Sequence, residues 1–521
     1  METSRLIQSV VDAAMNIPGV KWLMGDASLE SNTGEGHRGG YILGGDRDTY
    51  YPLLWDWIIA ELEVRTVLDV GCGEGHATAY FKRKGCRVLG IEGSATAIRD
   101  SPDPGILVRH DYVGGPYRPD VTYDLAWSCE FVEHVEERYL PNFLETFRHA
   151  GRYVFLTHAL PGQPGWHHVN CQEPGYWIDK LFSIGFSFDY DLTIEARRKA
   201  GHGYFAKTGL VFTRDERIPS IADPPLASVV VCTFNRKRML LDCLDALLAQ
   251  TYARFEVVVV DDGSEDDTGQ AMKRFSGDAR VRYIRQKHAG LASARNLGIR
   301  NSEGEMICFI DDDCIADRRW LQNIVGAYSN GDIGGVGGRI INHEPWTTPK
   351  TLLERFLHKS GLYQQRYVGE FLVGANSSYR RAALEAVNGF DGSLLKDEDA
   401  DIGMRIIATG MRFAYAPKAM VYHRTRGGFR GLLAQVYGYG TGHMMVYRKY
   451  PSRHSVARQV LRRLGSIVLN AIRTPIRLAG CLWQDDMTLY VMEPLINSAI
   501  LAAETAGIIS ELIMPTKPQR T

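Results

Sequence analysis

Short apolar runs ending in glycine or acid alternate along the chain with stretches whose apolar positions recur every three or four residues. The first pattern predicts strands and the second predicts helices. After a glycine-rich lead at 34–45, residues 51–62 have the amphipathic spacing of a short helix. Residues 66–70, 86–92, 106–109 and 123–127 then predict four strands, and a fifth precedes residue 157. Between the first two, glycines 71, 73 and 75 form a turn that opens a predicted helix over 77–83. The alternation over 189–213 predicts a closing hairpin.

The segment 217–225, RIPSIADPP, is polar and proline-rich and predicts a boundary. Beyond it the alternation restarts. Strands are predicted at 227–233, 255–262, 281–285 and 306–310, with helices at 239–250 and within 288–298. Both halves read as βαβ successions, so the fold class expected is α/β. It comprises two Rossmann-like doubly wound domains, followed by a mostly helical C-terminal region. The domain bounds expected are 1–220, 226–425 and 426–521.

A chain of 521 residues is too long for one ordinary core, which agrees with two or three domains. Apolar content of 45% and charged content of 23% are those of a soluble protein, and a net charge of −1 gives no reason to expect nucleic acid. The nine cysteines are odd in number, scattered and without a CxxC pair, which argues against a disulfide framework or zinc ribbon. A reducing cytosolic location is expected. No signal-peptide core opens the chain, and no uninterrupted apolar run of 18 residues predicts a membrane span.

One local asymmetry changes this picture. Residues 424–478 hold eleven Lys or Arg and no acid, interleaved with apolar residues. Such a segment can lay basic amphipathic helices on the anionic inner face of a cytoplasmic membrane. It can equally cover an acceptor cleft. The stretch 495–514, interrupted by Glu504 and Glu511, predicts a packing or oligomerising helix.

In the first half the chemistry gathers at strand ends. Asp69, Gly71, Gly73 and Gly75 lie in TVLDVGCGEGH at 66–76, Glu92 ends the second strand, Asp111 follows the third, and SCEFVEH at 128–134 follows the fourth. Glycines at such a turn let a ligand approach the backbone, and an acid at the end of the second strand suits a ribose diol. These motifs and their spacing resemble the class I S-adenosylmethionine-dependent methyltransferases over residues 40–215. The resemblance implies that Asp69 and the glycines hold the methionine portion, Glu92 the ribose hydroxyls and Asp111 the adenine edge. The segment 157–177 reads as an acceptor loop, where His134, His158, His167 or His168 can deprotonate a hydroxyl or can simply be packed. His134 is the catalytic candidate among them.

In the second half two strands end in acids, Asp261–Asp262 and Asp311, Asp312 and Asp313. Parallel strands bring both ends to one edge, where one set can recognise a nucleoside and the other a divalent ion on a diphosphate. The segments VVVCTFNR at 229–236, VVVDDGS at 258–264, GLASARNLG at 290–298, FIDDD at 309–313 and DEDADIGMRI at 397–406 follow in order. They resemble the family 2 glycosyltransferases of GT-A fold over residues 226–430, with FLVGANSSYR at 371–380 resembling the acceptor-side strand.

That resemblance implies inverting transfer of a sugar from a nucleotide donor, with Mg²⁺ or Mn²⁺ as the divalent cation. Asp399 would be the base, and Asp311, Asp313 and His423 the metal ligands. Thr233, Asp261, Asp262, Arg295 and Asp312 would line the donor site. Together the two resemblances imply a bifunctional enzyme using S-adenosylmethionine and a nucleotide sugar, with a glycan or lipid-linked glycan as acceptor. Bacterial surface polysaccharide or O-antigen assembly would suit the pair. The alternatives are a glycosyltransferase with a silent methyltransferase-like scaffold, or a non-catalytic glycan-binding scaffold.

Overall fold

The computed structural model describes residues 44–215, 224–342, 353, 356–357, 369, 371–394, 396–424, 428–450, 456–480 and 487–513. Most of the glycine-rich lead and of the proline-rich linker lies outside the described residues. The chain divides into two compact units, Met1–Pro219 and Ser220–Thr521, so the C-terminal helices belong to the second unit.

The first unit opens with α1 (Pro52–Glu61), β1 (Thr66–Val70), α2 (His76–Arg83), β2 (Arg87–Glu92), α3 (Ala95–Asp100), β3 (Leu107–Arg109) and β4 (Tyr123–Ser128). It continues through α4 (Leu140–Phe147), β5 (Ala150–Leu156), α5 (Pro174–Ser183), β6 (Phe186–Phe188), α6 (Tyr190–Ala200), α7 (Gly203–Thr208) and β7 (Leu210–Arg214). The sheet order is β3-β2-β1-β4-β5-β7-β6; β1 to β5 pair parallel, and β7 pairs antiparallel with both β5 and β6. The order reverses between β1 and β4, which opens the crevice where such sheets bind ligands. Trp55, Trp127 and Phe205 fill one face, the last two stacked 5.3 Å apart.

The expected hairpin over 189–213 is corrected. Two helices, α6 and α7, occupy most of that stretch, and the antiparallel pair β6 and β7 flanks them. The buried positions of α6 are Tyr190, Thr193, Ala196 and Ala200, a helical spacing that its apolar residues alone do not trace.

The second unit runs β8 (Ala227–Thr233), α8 (Lys237–Leu248), β9 (Phe255–Asp261), α9 (Thr268–Ala271), β10 (Val281–Arg285), α10 (Leu291–Arg300), β11 (Met306–Asp311), β12 (Cys314–Ala316), α11 (Trp320–Gly326) and β13 (Ile333–Ile341). There follow β14 (Asn376–Arg380), α12 (Arg381–Ala386), α13 (Glu398–Ala408), β15 (Arg412–His423), α14 (Gly428–Lys449), α15 (Val456–Gly480) and α16 (Met487–Ile513). The sheet order is β10-β9-β8-β11-β14-β13-β15-β12. The first four strands are parallel, and β14 pairs antiparallel with β11. Val229 and Val231 of β8 pack into one apolar core and Val230 into another. Burial on both faces is why these strands read as unbroken apolar runs.

Helix α14 packs on α16, as does α15. Glu511 pairs with Arg448 at 2.8 Å, and Glu504 pairs with Arg463, so two of the three acids of α16, those within 495–514, meet cations. Residues Met492–Ile513 are nonetheless long and apolar enough to cross a membrane, by length and composition alone. That is weak evidence for membrane association.

Candidate functional site

In the second unit, β8 and β11 pair in register and end together at the reversal of strand order. Asp311 closes β11, and Asp312 and Asp313 turn the chain into β12, which lies against β15 and so brings His423 opposite Cys314. The ligand atoms of Asp313, Cys314 and His423 lie within 4.8 Å of one another, with His423 Nε2 3.5 Å from an Asp313 oxygen. Carboxylate and imidazole are donors that suit a divalent cation. Burial pushes the Cys314 thiol well above its ordinary range.

The three aspartates are not equivalent. Asp312 is buried; it accepts from the Thr233 hydroxyl at 2.8 Å, and its other oxygen meets Arg236 at 2.8 Å. Burial raises its carboxyl to about 6, against the lowering effect of Arg236. Arg236 also reaches Asp313, at 3.3 Å. Asp311 instead faces Arg295, at 3.5 Å. Arg295 is itself buried on α10, and its guanidinium pairs with Glu398 at 2.6 Å. A single buried cation thus joins the end of β11 to the start of α13.

Asp399 is the next residue of α13. Its carboxylate accepts from the backbone N–H groups of Gly374 at 3.2 Å and Ala400 at 2.8 Å. Burial holds its carboxyl above the usual carboxylate range, and Arg295 works against that rise. At the end of β9, Asp261 accepts from Ser264 N–H at 2.7 Å and from the Tyr283 hydroxyl at 2.5 Å. Asp262 accepts from Gln286, Ala289 N–H and Gly290 N–H. Tyr283 and Gln286 carried no motif signal in the sequence, because only the pairing of β10 with β9 sets them beside these acids.

In the first unit the turn after β1 carries Gly71 and Gly75 at positive φ, and a Cβ on Gly71 would lie 2.2 Å from the Phe131 ring. A Cβ on Gly73 would meet nothing within 4 Å, so the turn leaves room for a ligand over its backbone. Glu92 lies at the end of β2, accepting from Gly73 N–H at 2.9 Å and Ser94 N–H at 2.7 Å. Asp69 is buried and accepts from the Thr78 hydroxyl at 2.5 Å, and burial raises its carboxyl to about 7. Asp111 accepts from Val113 N–H. Glu74, which the sequence reading left without a role, accepts from Gly44 N–H and meets His76 at 2.9 Å.

The four loop histidines do not share one environment. His158 is fully buried and held near pKa 4 by burial. Burial likewise lowers His134 to about 4, and its ring meets that of His168 with centroids 5.1 Å apart. His167 takes a left-handed backbone conformation, with φ 50°.

Comparison with known proteins divides the chain at the same places. The family model for glycosyl transferase family 2 matches residues 228–387, and a methyltransferase domain model matches residues 68–155. The glycosyltransferase AglE of Haloferax volcanii is 29% identical over 231 residues, covering 43% of this chain and 74% of that protein. A glucosyl-dolichyl phosphate glucuronosyltransferase of the same organism is 29% identical over 215 residues, covering 38% of this chain and 68% of that protein. Among solved structures, the mannosyltransferase PcManGT of Pyrobaculum calidifontis, in complex with GDP-Man and Mn²⁺, aligns at 19% identity with a TM-score of 0.37. That alignment covers 58% of this chain and 79% of that one.

Proposed function

Because the chain joins a class I S-adenosylmethionine-dependent methyltransferase domain to a family 2 glycosyltransferase domain, we propose that it is a bifunctional enzyme of glycan assembly. The second unit transfers a sugar from a nucleotide donor to an acceptor hydroxyl with inversion, and the first methylates a sugar hydroxyl. One observation carries the reading of the second unit. Buried Arg295 reaches both Asp311 at the end of β11 and Glu398 beside Asp399, so the two acidic motifs meet at one site.

Asp313 and His423, with Asp311 on the same turn, would hold a divalent cation, and such a cation would supply positive charge against the leaving nucleoside diphosphate. The nucleoside end of the donor lies along Thr233, Asp261 and Asp262, whose side chains are fixed by the hydrogen bonds described above. Asp399 takes the acceptor hydroxyl proton, and its raised affinity for protons suits that task. Arg295 pairs with both Glu398 and Asp311 and so holds the geometry around the base. In the first unit, the open turn at Gly73 and the carboxylate of Glu92 support S-adenosylmethionine as the cofactor.

The acceptor is a glycan, free or lipid-linked, in bacterial surface polysaccharide assembly, and the protein works at the inner face of the cytoplasmic membrane. The basic composition of residues 424–478 and the apolar residues exposed on α15 support that location. The test is a screen of nucleotide sugars with Mn²⁺ or Mg²⁺, in which product mass is read with and without S-adenosylmethionine. Sugar addition that needs the metal, and a 14-dalton increment (about one CH₂) that needs the cofactor, are expected. No turnover of any donor would overturn the reading.

A further inference from the structure

The first unit holds a set of metal-ligand side chains that neither transfer reaction has used. Residues 130–134 follow β4 and residues 157–168 follow β5, both at the sheet edge that carries the glycine turn. There the ligand atoms of Glu133, His134 and His168 lie within 4.8 Å of one another.

Three features make this more than a chance gathering. Glu133 is 0% exposed, and neither of its carboxylate oxygens has a hydrogen-bond partner. An anion shielded in this way is costly unless a cation or a proton meets it. His168 Nδ1 lies 3.1 Å from the Gln163 carbonyl and donates to it, which fixes the tautomer and leaves the Nε2 lone pair to accept. The ring has room because residue 165 is glycine; a Cβ there would lie 2.2 Å from it. His134 leaves its Nδ1 buried and unpartnered.

Glu130 stands just outside this set, its carboxylate accepting from Thr157 at 2.8 Å. One carboxylate and two imidazoles with positions left open form a donor set for Mn²⁺, Fe²⁺, Co²⁺ or Zn²⁺ more than for Mg²⁺ or Ca²⁺.

We propose that Glu133, His134 and His168 bind a divalent transition-metal cation, at a site separate from the one formed by Asp313 and His423. The competing account is a proton shared between Glu130 and Glu133, which would neutralise the pair without any metal.

The experiment uses the full-length chain, stripped of metal by chelator and titrated with Co²⁺. Bound equivalents are read by calorimetry and ligand type by the visible absorption bands. Wild type is expected to bind two equivalents. Asp313→Asn should retain one, and Glu133→Gln and His168→Gln should each lose the equivalent that Asp313→Asn retains. Thermal melting and S-adenosylmethionine binding check that each variant is folded, and His168→Gln serves if the buried Glu133→Gln is not. A single equivalent abolished by Asp313→Asn, or unchanged binding in both first-unit variants, would overturn the proposal in favour of the shared proton. Failure to bind S-adenosylmethionine with two Co²⁺ equivalents present would count against methyl transfer and leave the metal site standing.

Discussion

Asp399 shows what a single position contributes and how it can be tested. Its carboxylate is held by two backbone N–H groups, buried, and close enough to Arg295 for the guanidinium to offset part of the desolvation. Asp399→Asn keeps the shape and removes the proton acceptor. The expected loss is about 10²–10⁴-fold in kcat for sugar transfer, with donor affinity retained. Because burial raises its proton affinity, the working carboxylate form is lost as pH falls through a value above the ordinary carboxylate range. A kcat/KM profile in the wild type should therefore decline on its acidic side earlier than an exposed aspartate would dictate. A profile flat down to pH 4, within the ordinary carboxylate range, would remove Asp399 from the role of base.

Gly71 is the counterpart in the first unit. With φ +73° and the Phe131 ring in the way, Gly71→Ala combines backbone strain with a clash. It should cost about 1–3 kcal/mol in stability. Calorimetric binding of S-adenosylmethionine should weaken in parallel, and an unaffected variant would show that the turn is slack.

Among the elements, the central parallel strands of both sheets were legible in the sequence because they are buried on two faces and appear as bare apolar runs, whereas β12, β13 and β15 carried no such signal. Helix α6 was not legible either. Its core positions include Thr193, Ala196 and Ala200, residues that register weakly as apolar, while exposed and half-buried residues between them imitate alternation. The readable signal was Asp189, whose side chain caps the helix by accepting from Leu192 N–H at 2.9 Å. The candidate sites divide in the same way. Acids at strand ends could be placed from spacing alone, but the pairing of Arg295 with Glu398 spans 103 residues and needs the fold.

The C-terminal helices carry their own close fit. A Cβ on Gly440 would lie 2.0 Å from the Glu504 carbonyl oxygen, and one on Gly507 would lie 2.1 Å from that of Tyr437. The backbones of α14 and α16 therefore touch at each of these two glycines. Gly440→Ala should part the helices at a cost of about 1–3 kcal/mol, read as a lower midpoint in urea and faster amide exchange over 487–513.

At the scale of the whole molecule, the tail is tied to α13 and also presents an exposed apolar stripe. Lys449 at the end of α14 pairs with Asp391 and with Asp401 of α13, and the Tyr450 hydroxyl reaches Asp401 at 2.8 Å. The tail thus braces the helix that begins with Glu398 and Asp399. Helix α15 exposes Leu461 (68%), Leu464, Val468 (60%) and Ile472 (55%) at helical spacing, in a segment rich in arginine and without acids. An apolar stripe among cations is the pattern that inserts at an anionic lipid surface. The full chain should float with vesicles containing anionic lipid, bind neutral vesicles weakly, and release as salt shortens the range of the attraction. Replacing Leu461, Val468 and Ile472 together with serine should reduce flotation by roughly tenfold or more, since each side chain contributes about 1.5–3 kcal/mol when fully buried. The same triple variant should keep sugar transfer to a soluble acceptor, because all three side chains are exposed on α15. Equal flotation of variant and wild type would leave α15 facing another part of a larger assembly, and the bilayer would not be its partner.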